Sequence, residues 1–414
     1  MSIIFGALGS IIGYLGAEAA SETFFERLLW PERFYNDTSI WALTKLAIFM
    51  PMTGPLHGAA LQTLDTFRSN GLYLGLRRGT MLGSTFLKDT EAKNRRRLSA
   101  STTEEEKECR NGFWIQVLRE AKYVDCKAGT LQRDSERTAV DNRPPYHAMQ
   151  LVHHLKFKYT DNAEGSRVNA VSEGSVSWRA ILGIFVSELT SIAIAITAAV
   201  AKPFKTWWLA VYLCVPLLLK LISLIVSVRR TTIHKENIPA ASSAAPKDDL
   251  YEILDGNHSF GLIESPEITL RQFFRHYGHP IRDSGIAGRR DRAREVLSMA
   301  LVYLFVLYFP AGLISSLWMP SNVQLLWLSF QVYTIIAMHI VRICGWEHCG
   351  RTEGRIARLL QEDRIVFLQA KKPAKYGVTA TLETTDHANV AEAKKEVKRI
   401  IDKHFATVAR TLTS

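Results

Sequence analysis

The sequence predicts an all-α membrane domain: four transmembrane helices arranged as two antiparallel hairpins. Cytosolic regions of mixed helical and irregular structure accompany them, with a small β pair near the C-terminus. Two observations carry that reading. The chain has 414 residues, 22% of them charged, with a net charge of +11, which is unremarkable for a soluble protein when averaged. Yet the windows 178–201, 206–228, 296–319 and 322–345 hold 95 residues and only four charges, Arg179, Glu188, Lys220 and Arg342, so 87 of the 91 charges fall on the other 319 residues. A bilayer core of ~30 Å needs ~20 mostly apolar residues, and each window reaches that length. The second observation is connection length. Lys202–Lys205 and Pro320–Ser321 are too short for anything but antiparallel neighbours. A single soluble globule, a disordered chain and a disulfide-stapled module are excluded together.

The segments then read as 1–177 (cytosolic or membrane-associated), 178–228 (first hairpin), 229–295 (cytosolic linker), 296–345 (second hairpin) and 346–414 (cytosolic). Residues 1–17 are apolar, with Gly6, Gly9, Gly13 and Gly16 about one helical turn apart. No Lys or Arg precedes the run, which argues against a secretory signal peptide. A helix packed on another through its small face, or lying on the membrane, is the favoured expectation over a fifth span. Residues 40–62 are apolar but contain Lys45, Pro51, Pro55 and His57, as a partly buried or re-entrant stretch would. Residues 60–110 are basic, then mixed.

Each hairpin bend carries a proline, Pro203 or Pro320, and tryptophans flank the spans: Trp178, Trp207, Trp208, Trp318, Trp327 and Trp346. Interfacial aromatic belts have this pattern. Near the spans, twelve Lys and Arg lie on the side away from the hairpin tips and two at the tips, so both termini and the central segment are expected in the cytosol. Five cysteines without a spaced framework suit reduced cytosolic thiols. After the fourth window, Ile365–Gln369 and Tyr376–Leu382 alternate as two strands. Val390, Ala393, Val397, Ile400, Ile401, Phe405 and Val408 then mark an amphipathic helix over 389–411, expected to pack on the strands or lie on the membrane.

Charges inside the membrane cost ~2.5–3.5 kcal/mol each on insertion scales, so Glu188 and Lys220 need an account. In an antiparallel hairpin centred between Pro203 and Phe204, residue x faces residue 407 − x, which sets Glu188 one residue from Lys220 and predicts an intramembrane ion pair. Arg342, at the end of the fourth window, is expected to reach the headgroups. Arg229, Arg230, Arg289, Arg290, Arg292 and Arg294 are placed to contact anionic lipid headgroups at ~1 kcal/mol each. Ser99 follows Arg96-Arg97-Leu98, and Thr232 lies two residues after Arg229-Arg230. Both fit the two-basic-then-hydroxyl pattern of phosphorylation sites.

Catalytic signatures are missing: no Walker loop, no dinucleotide fingerprint, no G-x-S-x-G and no H-E-x-x-H. No cofactor is implied, and no nucleic-acid motif appears. The reading is a multi-pass membrane protein acting as a scaffold or regulator, or as an oligomeric transport or pore component. Its partners are the lipid bilayer, anionic headgroups and further copies of itself. One enzymatic alternative rests on His153, His154, His276 and His279 as metal ligands on the cytosolic side. In combining four spans with cytosolic histidines, the chain resembles membrane desaturases and hydroxylases in coarse plan. It departs from their box spacing, because His276-x-x-His279 lacks an adjoining histidine.

Overall fold

The computed structural model describes residues 2–69, 92–109, 112–121, 150–160, 168–172, 177–227, 248–255, 260–275, 286–369 and 377–413. The chain forms two compact units, each assembled from three separate stretches: a helical unit of 1–81, 176–229 and 282–352, and an α+β unit of 82–175, 230–281 and 353–414.

Among the described residues of the helical unit, three helices are long and apolar enough to cross a bilayer: Trp207–Val226, Ala293–Ser316 within the longer Ile286–Ser316, and Ser321–Ile343. The expected first span is not one helix. Trp178–Ser187 and Leu189–Val200 meet at Glu188 with a 53° bend. An all-α class with four spanning helices is therefore overturned, both by this break and by the sheet described below. Hydropathy registers the apolar content of 178–201 but not the capture of Glu188 by neighbouring elements, which occurs at the bend.

The Ser2–Ala19 helix lies parallel to Ser321–Ile343. A Cβ on Gly9 would stand 2.5 Å from Leu313, one on Gly13 2.6 Å from Phe309, and one on Gly16 1.9 Å from Pro55 and 3.1 Å from Ile335. The glycines thus let neighbouring side chains rest against the backbone of this helix, most tightly at Gly16, where the neighbour is the rigid Pro55 ring. Arg342 donates to the carbonyl of Glu18 at 2.8 Å, satisfying an orphan acceptor at the helix end. The opposite face of this helix shows Leu8, Ile11, Tyr14 and Leu15 to the outside, an apolar surface suited to lipid. Between the Ile40–Phe49 and His57–Ser69 helices, residues 50–56 are irregular and all buried. Backbone without regular structure at membrane depth is tolerated only where protein encloses it. Tyr212 and Tyr308 lock two of the long helices together: their rings stack at 4.3 Å, and each hydroxyl donates to the other's backbone carbonyl.

The α+β unit holds β1 (Lys93–Arg97), β2 (Lys107–Glu108), β3 (Gln150–Thr160), β4 (Val168–Ser172), β5 (Asp248–Leu254), β6 (Phe260–Pro266), β7 (Val366–Gln369) and β8 (Gly377–His387). They form one mixed sheet in the order β2-β1-β5-β6-β3-β8-β7-β4, with β3–β6 and β4–β7 parallel. The strand pair expected near the C-terminus is present as β7 and β8, antiparallel, but as two of the eight strands among the described residues. Strand alternation divides the side chains between two faces. Leu155 and Phe157 turn to a core with Trp114 from the 113–121 helix and Phe273 from Glu267–Arg275. Trp114 stands 4.6 Å from Phe157 and 5.3 Å from Phe273, edge to face in both pairs. Val152, Leu250 and Leu262 turn the other way, against Ala393, Val397 and Ile401 of the Val390–Thr413 helix. That amphipathic helix therefore covers the sheet. Its start is capped by Asn389, whose Oδ1 accepts from the Glu392 amide at 2.9 Å, while the Glu392 carboxylate accepts from the Ala388 amide one residue before the cap at 3.3 Å.

Candidate functional site: a buried polar junction

Glu188 and Lys220 form an ion pair, both side chains wholly excluded from the surface. The local fold matches the charges to helix ends. Glu188 stands at the N-terminus of Leu189–Val200, where the dipole is positive, and Lys220 reaches Ser187, at the C-terminus of Trp178–Ser187, where it is negative. The bend thus supplies complementary partial charges that an unbroken helix lacks.

Three further elements converge on the pair. From the irregular loop, the Met52 amide donates to Glu188 Oε1 at 2.9 Å. Ser191 Oγ donates to Glu188 Oε2 at 2.8 Å, and Ser191 and Thr53 hydroxyls lie 3.2 Å apart. Lys220 also donates to Ser187 Oγ at 2.9 Å and sits 5.5 Å from the centre of the Tyr35 ring. From Ser321–Ile343, Gln331 Nε2 donates to the Thr53 carbonyl at 3.2 Å, and Thr334 Oγ1 to the Gln331 carbonyl at 2.8 Å. Gln331 and Thr334 lie ten to thirteen residues into their helix, so at 1.5 Å per residue the junction is roughly 15–20 Å from the helix start. That is about half the ~30 Å thickness of a bilayer core.

The sequence arithmetic located the two charges, but it missed their partners. Pro51, Gly54 and Pro55 within an apolar stretch were the available sign of non-helical backbone. Gln331 and Thr334, three residues apart in an apolar helix, were the sign of a polar face.

The other predicted site residues are scattered. His153 and His154 are consecutive on β3 and face opposite sides of the sheet. His153 hydrogen-bonds Thr384 at 3.0 Å beside the core. His154 pairs with Glu264 at 3.1 Å, next to His404 of the Val390–Thr413 helix, itself 3.3 Å from Glu264. The two imidazoles hold Glu264 well below the usual carboxylate range. His276 and His279 lie outside the described residues, and among the described residues no group of three or more His, Cys, Asp or Glu is arranged to hold a metal. Arg229, Arg230 and Thr232 are likewise outside the described residues. Arg289, Arg290, Arg292 and Arg294 fall on the Ile286–Ser316 helix. Ser99 occupies a tight turn, its Oγ accepting from the amides of Ser101 and Thr102. The arginines before it are engaged in the sheet, Arg96 with Asp249 at 2.8 Å and Arg97 with Glu252 at 2.7 Å. A kinase would have to displace both pairs to read that motif.

No protein-family model matches the chain, and no curated protein and no solved structure matches it either.

Proposed function

We propose that the chain is an integral membrane protein of transport or pore type, acting as an oligomer, with the helical unit in the bilayer. One observation carries the reading: a charged pair, a helix break and an irregular loop coincide at one buried point near mid-depth. Each is costly in a membrane, and discontinuous helices with polar groups at the midplane are how membrane proteins build sites for substrates and ions. A structural role alone would be served by apolar packing of the same volume.

The α+β unit is assigned to the cytosol, since eight arginines at 282–294 and 351–358 flank the long helices there. Those at 289–294 are assigned to anionic headgroups.

A second reading, a membrane scaffold or regulator, is favoured by the saturation of Glu188, which accepts from Met52, Ser191 and Lys220 at once. Flux measured for protons, Na⁺, K⁺ and Cl⁻ in liposomes holding the full-length protein separates the two. Transport predicts flux of at least one species above that of protein-free vesicles. Absence of flux for all four, in protein that resists alkaline extraction from membranes, would leave the scaffold.

A further inference from the structure

Lys45 is the single charged residue of the Ile40–Phe49 helix and takes no part in the polar junction. Its ammonium sits 4.3 Å from the centre of the Trp346 ring and 5.1 Å from that of Trp41. Trp346 is held in turn against Phe49, ring centres 5.3 Å apart. Indole faces attract a cation without cancelling its charge. Among the described residues no carboxylate pairs with Lys45 and no acceptor takes its N–H groups. An ammonium offers three such donors.

The helix fixes the level of this cation. At one end the Ile48 carbonyl accepts from the Tyr333 hydroxyl. Tyr333 lies ten residues before the end of Ser321–Ile343, about 15 Å inside it at 1.5 Å per residue. At the other end the Ala42 carbonyl accepts from Cys349 Sγ at 3.9 Å, past the end of the long helix. Ile40–Phe49 therefore runs alongside the last turns of that helix and beyond them, with Lys45 between. Around the cation the surface is apolar: Ile40 is 85% exposed, Ile343 83%, and Trp41 and Ile48 are exposed as well. Tryptophan rings and lysine ends with bare apolar neighbours suit the boundary where acyl chains meet headgroups.

We infer that Lys45, Trp41 and Trp346 form a binding site for the phosphate of an anionic phospholipid, Lys45 donating to a phosphate oxygen while Ile40 and Ile343 lie against acyl chains. The inference rests on the helical unit lying in the bilayer, and not on transport. Charge selects the lipid class. A phosphatidylcholine headgroup brings its own ammonium to a site that is already cationic, whereas phosphatidylglycerol brings only the negative charge of its phosphate.

Native mass spectrometry of the full-length protein in detergent counts bound lipid as phosphatidylglycerol is added. At least one retained copy is expected, bound about fivefold more weakly in Lys45→Gln, the factor that ~1 kcal/mol for one basic residue at a lipid surface corresponds to. Lys45→Arg should restore it. Trp41→Leu alters no charge and should also weaken it, which keeps the test valid if Lys45→Gln does not fold. Lys202→Gln, which removes an exposed charge from the 202–205 connection, should leave it unchanged. Phosphatidylglycerol binding indifferent to both Lys45→Gln and Trp41→Leu would overturn the site. Equal weakening by Lys202→Gln would overturn it too, as a general attraction of charge, and so would equal binding of phosphatidylcholine. Displacement of the lipid by inorganic phosphate at the same concentration would replace it with a free-anion site. Release of the protein from membranes by alkaline extraction would remove the bilayer placement itself, whereas a protein that resists extraction and binds lipid independently of Lys45 loses this site alone.

Discussion

A carboxylate and an ammonium taken out of water each lose several kcal/mol of solvation, which their attraction repays only when the remaining hydrogen-bond sites are filled. At Glu188 and Lys220 they are filled, by a backbone amide and two serines. Removing one partner is then worse than removing both. Glu188→Ala is expected to cost about 3–5 kcal/mol, because it strands the buried ammonium, whereas Glu188→Ala/Lys220→Met should recover most of that loss. Thermal unfolding in detergent measures the difference, and a double variant no more stable than the single would refute the coupling. In the α+β unit, Glu252 poses the same problem on a wetter surface. Burial would raise its pKa, but hydrogen bonds from Arg95 and Arg97 outweigh that and hold it below the usual carboxylate value. A depressed carboxylate contributes stability above its unfolded pKa and loses it as pH falls through the folded one. Glu252→Gln should therefore cost about 1–3 kcal/mol at pH 7. The gap to wild type should narrow as pH drops below about 4.3, read as thermal midpoints across pH 6 to 3. A gap that stays constant would show that the charge is not the cause. Both pairs involve residues far apart in sequence. The first was legible because a hairpin has fixed arithmetic, and the second was not, since a run of three arginines looks solvated until β1 aligns with β5.

Elements were legible where local chemistry alone decides them. Asn389 and Glu392 cap the last helix, apolar residues at three-to-four spacing define its buried face, and β7–β8 alternate visibly. Most of the sheet was hidden for a physical reason. β3 is covered on both faces, so Val152 and Leu155 face opposite cores and its pattern loses the period of two. The helix break was equally hidden, since a bend at Glu188 depends on Met52 and Lys220 rather than on any local breaker. The glycine face of Ser2–Ala19 was suggested by spacing, and its partner supplies the consequence. Gly16→Val would drive a side chain into Pro55 at the end of the irregular loop. Overpacking of this kind costs about 1–3 kcal/mol, and here it should also disturb the neighbouring Met52 and Thr53. The expected outcome is a lowered thermal midpoint together with altered labelling of a cysteine placed at Thr53. Gly345→Ala serves as a comparison with open space around its Cβ, testing backbone strain alone at φ 63°. Equal effects at the two positions would argue against the close-approach account.

At the scale of the whole chain, the two units are interleaved: each is closed only by its third stretch. For the helical unit that stretch brings Gln331 to the polar junction. For the α+β unit it brings β8, which pairs with β3 over eleven residues and with β7 on its other side. Without 353–414, β3 would become an exposed edge, and Val152, Leu250 and Leu262 would lose the helix that covers them. Bare edges and uncovered apolar faces open and aggregate. The helical unit, by contrast, is complete at residue 352. A chain ending there is expected to keep the Glu188–Lys220 junction, seen as resistance of the Trp207–Val226 and Ser321–Ile343 segments to protease in detergent. In the same sample 93–108, 150–160 and 248–266 should be cut at least tenfold faster than in the full chain. Cys109 gives an independent readout. Burial pushes its thiol up to about 11, so it should resist alkylation at pH 8 in the full chain and react readily in the shortened one. Protection of Cys109 in both chains would mean that β1, β5 and their covering helices form a core without β8, and that interleaving is a matter of chain order rather than of folding.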